Sequence, residues 1–194
     1  MSSQPSSDLF AHLCDLYAKY RQTQNLEQKG LFYTEDCHQI CRPNPSYAAQ
    51  DRSTIIRYIR ESGPLITSIR REAGHLDAEQ DIGSTTRTSY YTVLPLTGDE
   101  AQDFGTAEHV RPAGFSSVAE VQDRAEAEHW VGIKVDMWDD DGCDRGLLVR
   151  AKYWWRRRDA EDEEWRQVLH DILYLGVRDG TEGKDGGVVK RDDA

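Results

Sequence analysis

The 194 residues contain no apolar run near the roughly 20 needed to cross a bilayer. The opening stretch, Met1 to Ser7, has neither the basic flank nor the apolar core of an export signal. The chain therefore reads as cytoplasmic. Cationic charge is scarce as well: 24 Lys and Arg stand against 35 Asp and Glu, a formal net charge of −11. Such a surface repels phosphate backbones and anionic lipid, so neither nucleic acid nor a membrane is an expected partner. Cysteine is limited to Cys14, Cys37, Cys41 and Cys143, too few for a disulfide scaffold in a chain of this size, and free thiols are expected. Glycine-rich phosphate loops and nucleophile elbows are missing. Cys37-His38-Gln39-Ile40-Cys41 has three soft ligands, but on a strand Cys37 and His38 point opposite ways and no second pair completes a zinc site. The acidic run Asp139 to Asp144 lacks the alternation and distal Glu of a calcium loop and reads as a solvated hairpin tip. Neither metal nor cofactor is expected.

What is present has a clear order. Residues 1–7 are polar and read as a disordered tail. Leu9, Leu13, Leu16, Tyr17 and Tyr20 then recur at helical spacing, with Ser6 or Ser7 as cap and Asp8 in the first turn. Phe32 to Cys41 mixes aromatic and β-branched residues as a short strand does, and Arg42-Pro43-Asn44-Pro45 turns the chain. Asp51 caps a helix bearing Ile55, Ile56 and Ile59, with a stop at Ser62-Gly63-Pro64 and a further helical stretch over Leu65 to Arg71. From Thr85 the period becomes two. Thr85 to Leu96 predicts a strand, and residues 97–128 an inserted loop and helix, a candidate lid, with Ser117 and Glu120 at capping-box spacing.

Three strands follow. Val131, Ile133, Val135 and Met137 alternate with Trp130, Lys134, Asp136 and Trp138, and Leu147, Val149, Ala151, Tyr153 and Trp155 alternate with Arg150, Lys152 and Trp154. Asp141-Gly142 between them favours a tight antiparallel hairpin. Trp165 to Val177 is apolar on both faces, as a central strand is. Residues 179–194 have little to bury and read as a second disordered tail.

Helices first, with a short strand among them, then long antiparallel strands: this order resembles the SnoaL-like/NTF2-like superfamily. Trp165-Arg166-Gln167-Val168 resembles the W-R-I-V opening of the last strand in many members, and Asp51 to Ile59 their G-R-D-A-I-R helix. The resemblance covers residues 8–178. It implies an α+β cone with N-terminal helices packed on a curved, mostly antiparallel sheet. The composition resembles that of filamentous-fungal proteins, and fungal members include secondary-metabolism enzymes resembling polyketide cyclases, dehydratases and isomerases. The implied activity is a cofactor-independent lyase, isomerase or cyclase acting by general acid–base chemistry on a hydrophobic polycyclic, polyketide- or terpenoid-like metabolite. The alternative is a non-catalytic module that binds a ligand or a protein.

Proton transfer in an apolar cone needs a buried carboxyl or imidazole, because burial brings either toward neutrality. Asp171 interrupts a face that otherwise reads Trp165, Gln167, Leu169, Leu173 and Leu175. Relatives often carry His there, so Asp is a departure. His170 points to the other face, so only one of the two lines a given pocket. Asp36 and His38 share a face behind Tyr33 and form a second candidate acid–base pair. Structural hydrogen bonding or a solvated edge strand accounts for these residues as well. Tyr17, Tyr20, Tyr33, Tyr91 and Tyr153 are candidate substrate-binding phenols, with core packing as the other reading. His109 and Arg111 reach a pocket mouth only if residues 97–128 form a lid. Trp130, Trp138 and Trp154, on the face opposite the core, predict a homodimer through the outer sheet face.

Overall fold

The computed structural model describes residues 5–72, 88–140, 146–157 and 164–192. Helix α1, Ser7–Gln22, starts where Ser6 Oγ accepts the Leu9 amide at 3.3 Å. Asp8 sits in its first turn and Lys19 and Arg21 in its last, each matched to the helix dipole. Its inner side buries Leu13, Tyr17 and Tyr20. A short helix α2, Leu26–Gly30, leads to strand β1, Tyr33–Cys41. Helix α3, Arg52–Glu72, is capped by Asp51, whose Oδ1 accepts the Thr54 amide at 2.8 Å. The Gly63-Pro64 pair, expected to end this helix, lies inside it, and the stretch expected from Leu65 is its continuation. Proline removes one N–H and leaves the rest of the ladder, and here the helix runs through it. Among the described residues no helix is long and apolar enough to cross a membrane.

Strands β2 (Thr88–Pro95), β3 (Val131–Asp140), β4 (Leu147–Arg157), β5 (Trp165–Val177) and β6 (Lys190–Arg191) join β1 in one sheet of order β1-β5-β4-β3-β2-β6. Only β1 and β5 are parallel; every other pair is antiparallel. The class is α+β, with the N-terminal helices on a curved, mostly antiparallel sheet. The tip of the β3–β4 connection, with its Asp141-Gly142 pair, lies outside the described residues.

Two bulges shape β5. Trp154 pairs with Leu169 and Trp155 with Gln167, so Val168 is extra; Arg150 pairs with Tyr174 and Ala151 with Ile172, so Leu173 is extra. A bulge bends its strand and resets the alternation of side chains. Gln167, expected on the face of Asp171, consequently pairs with Trp155 on the inner face, while Asp171 pairs with Lys152 on the outer one.

Each face of the sheet carries a core. On the inner face α1 and α3 pack Leu13, Tyr17 and Ile55 against Ile133, Ala151 and Trp155. On the outer face the 97–128 segment, with short helices α4 (Ala107–Val110) and α5 (Val118–Ala127), packs Phe104, Phe115 and Val121 against Trp130, Trp154 and Leu169. Ser117 Oγ caps α5 through the Glu120 amide at 3.2 Å. The Glu120 carboxylate bonds Ser116 rather than closing a reciprocal box with Ser117.

Two expectations are corrected by this layer. The 97–128 segment is no lid, because it sits on the face away from α1 and α3, and with it His109 and Arg111 leave the cavity side. The three tryptophans expected to form a dimer face are covered by their own chain: Trp130 is 5% exposed, Trp138 8% and Trp154 1%. The segment covers Trp130 and Trp154, with Phe104 at 4.8 Å from Trp154 between ring centroids, while Trp138 stacks on Tyr90 at 5.9 Å. The stretch from residue 179, expected to be disordered, is placed as far as Asp192. It holds by ion pairs and edge pairing instead of burial: Arg150 to Asp179, Arg178 to Glu182, and β6 on β2.

Candidate functional site

Alternation on β4 and β2 points Tyr153 and Tyr91 inward, and helical spacing on α1 points Tyr17 and Tyr20 at them. Tyr17 stands 5.3 Å from Tyr153 and 5.7 Å from Tyr91, ring centre to ring centre. The Tyr33 hydroxyl donates to that of Tyr20 at 2.6 Å. His170 lies behind this cluster, 4.7 Å from Tyr153 and 5.0 Å from Tyr33. The five nominated tyrosines and one of the two nominated histidines therefore converge. Burial drives the Tyr33 and Tyr153 phenols well above their ordinary range, so they are neutral donors.

Beside the cluster opens a cavity of about 390 Å³. Tyr153, Val149, Ile172 and Leu175 form its sheet wall, and Tyr58 and Ile59 of α3 lie across from them. Arg21 and Lys29 bring two cations to it. Arg21 is paired with Asp192, and its NH1 meets the Met137 thioether at 3.0 Å, as does the Tyr17 hydroxyl. Lys29 Nζ lies 4.5 Å above the Tyr20 ring. Burial, then the charge of Arg21, pulls its amine below the ordinary lysine value.

His170 does not reach the cavity as a base. Its Nε2 is bonded to Gln167 Oε1, and burial lowers its pKa to about 3, so the ring is neutral. The amide Nε2 of Gln167 is buried with no partner among the described residues.

Asp171, Asp36 and His38 belong to the other face. Asp171, with no exposed surface, accepts from Arg42 Nε at 3.0 Å and from its NH2 at 2.6 Å. Arg42 continues to Asp103, which also takes Lys152 at 3.0 Å, making a four-charge network that ties β1, β4 and β5 to the 97–128 segment. Burial raises the Asp171 carboxyl, and Arg42 opposes it. Asp36 and His38 both meet Arg124 of α5, with His38 Nε2 at 3.0 Å and His38 Nδ1 donating to the Ala113 carbonyl at 2.8 Å. These bonds define the neutral Nδ1–H form of His38, and burial first, with Arg124 adding to it, lowers its pKa. Asp36 and His38, expected as an acid–base pair, are joined through Arg124, and the three hold α5 against β1. Among the described residues no three His, Cys, Asp or Glu stand close enough to hold a metal.

Sequence reasoning missed Arg21, Lys29 and Met137. Arg21 was within reach, since it follows Tyr17 by four positions on α1 and shares its side. Met137 stood in the apolar alternation of β3 and read only as core. Lys29 carried no signal, because its place depends on how α2 docks.

The sequence profile of the SnoaL-like domain family matches residues 2–191. No curated protein matches the chain. Among solved structures, a Nostoc punctiforme protein of unknown function with a cystatin-like fold aligns at TM-score 0.45 and 8% identity, over 93% of this chain and 97% of that one.

Proposed function

The chain belongs to the SnoaL-like domain family, and we propose that its working site is the inner cavity, where it takes up a hydrophobic, ring-bearing small molecule. The observation that supports this most is the joining of an aromatic cluster to an apolar space of about 390 Å³, within the range of small-molecule sites. The non-catalytic binding module is the reading this geometry favours. Of the four residues nominated as acid or base, three lie across the sheet from the cavity and His170 is held neutral behind Tyr153.

The test is titration with N-phenyl-1-naphthylamine, a neutral bicyclic fluorophore. It should bind with one site per chain, and Val149→Trp, which fills the cavity from β4, should abolish binding without unfolding the protein. Unchanged binding in Val149→Trp would overturn the reading.

One observation favours a second reading, a cofactor-independent lyase, isomerase or cyclase. Lys29 lines the cavity, and burial lowers its amine from the ordinary lysine value, the direction that favours a general base. Its test is deuterium exchange at the α-carbon of 2-tetralone followed by NMR. Acceleration by the native protein that disappears in Lys29→Met supports catalysis, and exchange at the buffer rate counts against it.

A further inference from the structure

The cavity is apolar along its sheet wall and cationic at one corner. Tyr153, Ile172 and Leu175 offer a body-sized apolar surface. At the corner stand Lys29 and Arg21, with the buried Tyr17 hydroxyl joined to Arg21 through Met137, and what these donors find is poor in acceptors. Two of these donors, Tyr17 and Arg21 NH1, converge at 3.0 Å on Met137 Sδ, a weak acceptor for a phenol and weaker than a guanidinium demands. Lys29 rests on the face of the Tyr20 ring and makes no ion pair among the described residues. Asp192 is held by Arg21, which leaves the Tyr20 ring as the contact of the Lys29 ammonium among the described residues. The remaining charged lining residue, Asp139, has its carboxylate engaged by Ser89 Oγ at 2.8 Å. A half-buried ammonium resting on an aromatic ring, beside a guanidinium that spends one N–H on a thioether, has donor capacity that an anionic oxygen would fill better.

We propose that the ligand is an amphipathic anion: a hydrophobic ring body against Tyr153, Ile172 and Leu175, and a carboxylate, enolate or sulfonate oxygen placed between Lys29 Nζ and Arg21 NH1, displacing the thioether as acceptor. This rests on the cavity being the binding site. The oxygen replaces a weak contact with charge-assisted hydrogen bonds, which are worth about tenfold or more in affinity at a half-buried site. Met137 turns from hydrogen-bond acceptor into packing surface for the ring, a role its flexible side chain suits.

The experiment compares two probes with one body: N-phenyl-1-naphthylamine, which is neutral, and 8-anilino-1-naphthalenesulfonate, which adds the anion. Native protein should prefer the sulfonate by about tenfold. Lys29→Met should lower the ratio of sulfonate to neutral affinity about tenfold, and Lys29→Arg should keep it. Rising salt should weaken the sulfonate alone. A native ratio near one, or a ratio unmoved by Lys29→Met, overturns the anion assignment while neutral binding leaves the cavity reading standing. Failure of both probes removes the cavity reading and this inference with it.

Discussion

Replacing Arg42 with methionine leaves the Asp171 carboxylate, which has no exposed surface, without the guanidinium that contacts both its oxygens. Lys152 then provides the nearest compensating charge, but it bonds Asp103 and two backbone carbonyls instead. Breaking a buried pair from one side costs about 3–5 kcal/mol. With a urea dependence of roughly 2 kcal/mol per molar, the unfolding midpoint should fall by about 1.5–2.5 M. Asp171→Asn keeps an acceptor oxygen and leaves Arg42 its second partner, Asp103, so its cost should be smaller, about 1–3 kcal/mol. The double variant Arg42→Met with Asp171→Leu removes both charges and should regain at least about 2 kcal/mol of what Arg42→Met loses. Naphthylamine binding should stay within about twofold throughout, because the network lies across the sheet from the cavity. The reasoning is refuted if Asp171→Asn abolishes probe binding while urea stability is unchanged, since that is the signature of a carboxylate facing the ligand.

Trp154→Ala should cost about 3–5 kcal/mol and open the 97–128 segment to protease before the rest of the chain, read by mass spectrometry of the first cleavage products. Gly132→Ala should cost about 1–3 kcal/mol, because its new Cβ would stand 2.4 Å from Leu96 Cδ1, and adding Leu96→Ala should couple favourably in a double-mutant cycle measured by thermal unfolding. Acid should loosen the outer layer first. Burial raises the Asp103 carboxyl, but the Gly105 amide, Lys152 and Arg42 together hold it down at about 2, and Glu128 is likewise held below its ordinary value against its own burial, by Arg124, Trp130 and Arg156. Groups depressed on folding stabilise above their unfolded values of 3.8 and 4.5 and lose that contribution as pH falls toward 2. Tryptophan fluorescence from Trp130 and Trp154 should therefore change between pH 4.5 and about 2 before the far-ultraviolet dichroism does.

The order of elements and the inward and outward sides of β3 and β4 were legible because alternation is a local property of each strand. Caps at Ser6, Asp51 and Ser117 were legible for the same reason. The two bulges of β5 were not, since Val168 and Leu173 look like any other strand residues and only the pairing with β4 makes them extra. That single blind spot moved Gln167 to the face opposite Asp171. The surroundings of Asp171, Asp36 and His38 were hidden chiefly by the 97–128 segment: its capping pattern announced a helix, but nothing local says which face of a sheet a helix covers. Once it covers the outer face, Asp171, Asp36 and His38 become anchors for it. The tyrosine cluster was found because each member sits on an apolar stripe, whereas Lys29 owes its place to the docking of α2.

Tyr153 and Trp154 are consecutive in the chain yet share almost no neighbours, one packed on Tyr17 and His170 and the other on Phe104. A single strand thus serves as a party wall between two rooms. A mutant library drawn only from Val149, Ala151 and Tyr153 would refurnish the cavity-side room while leaving the bracing next door untouched, so the inner wall can vary along β4 without a matching change in the outer layer.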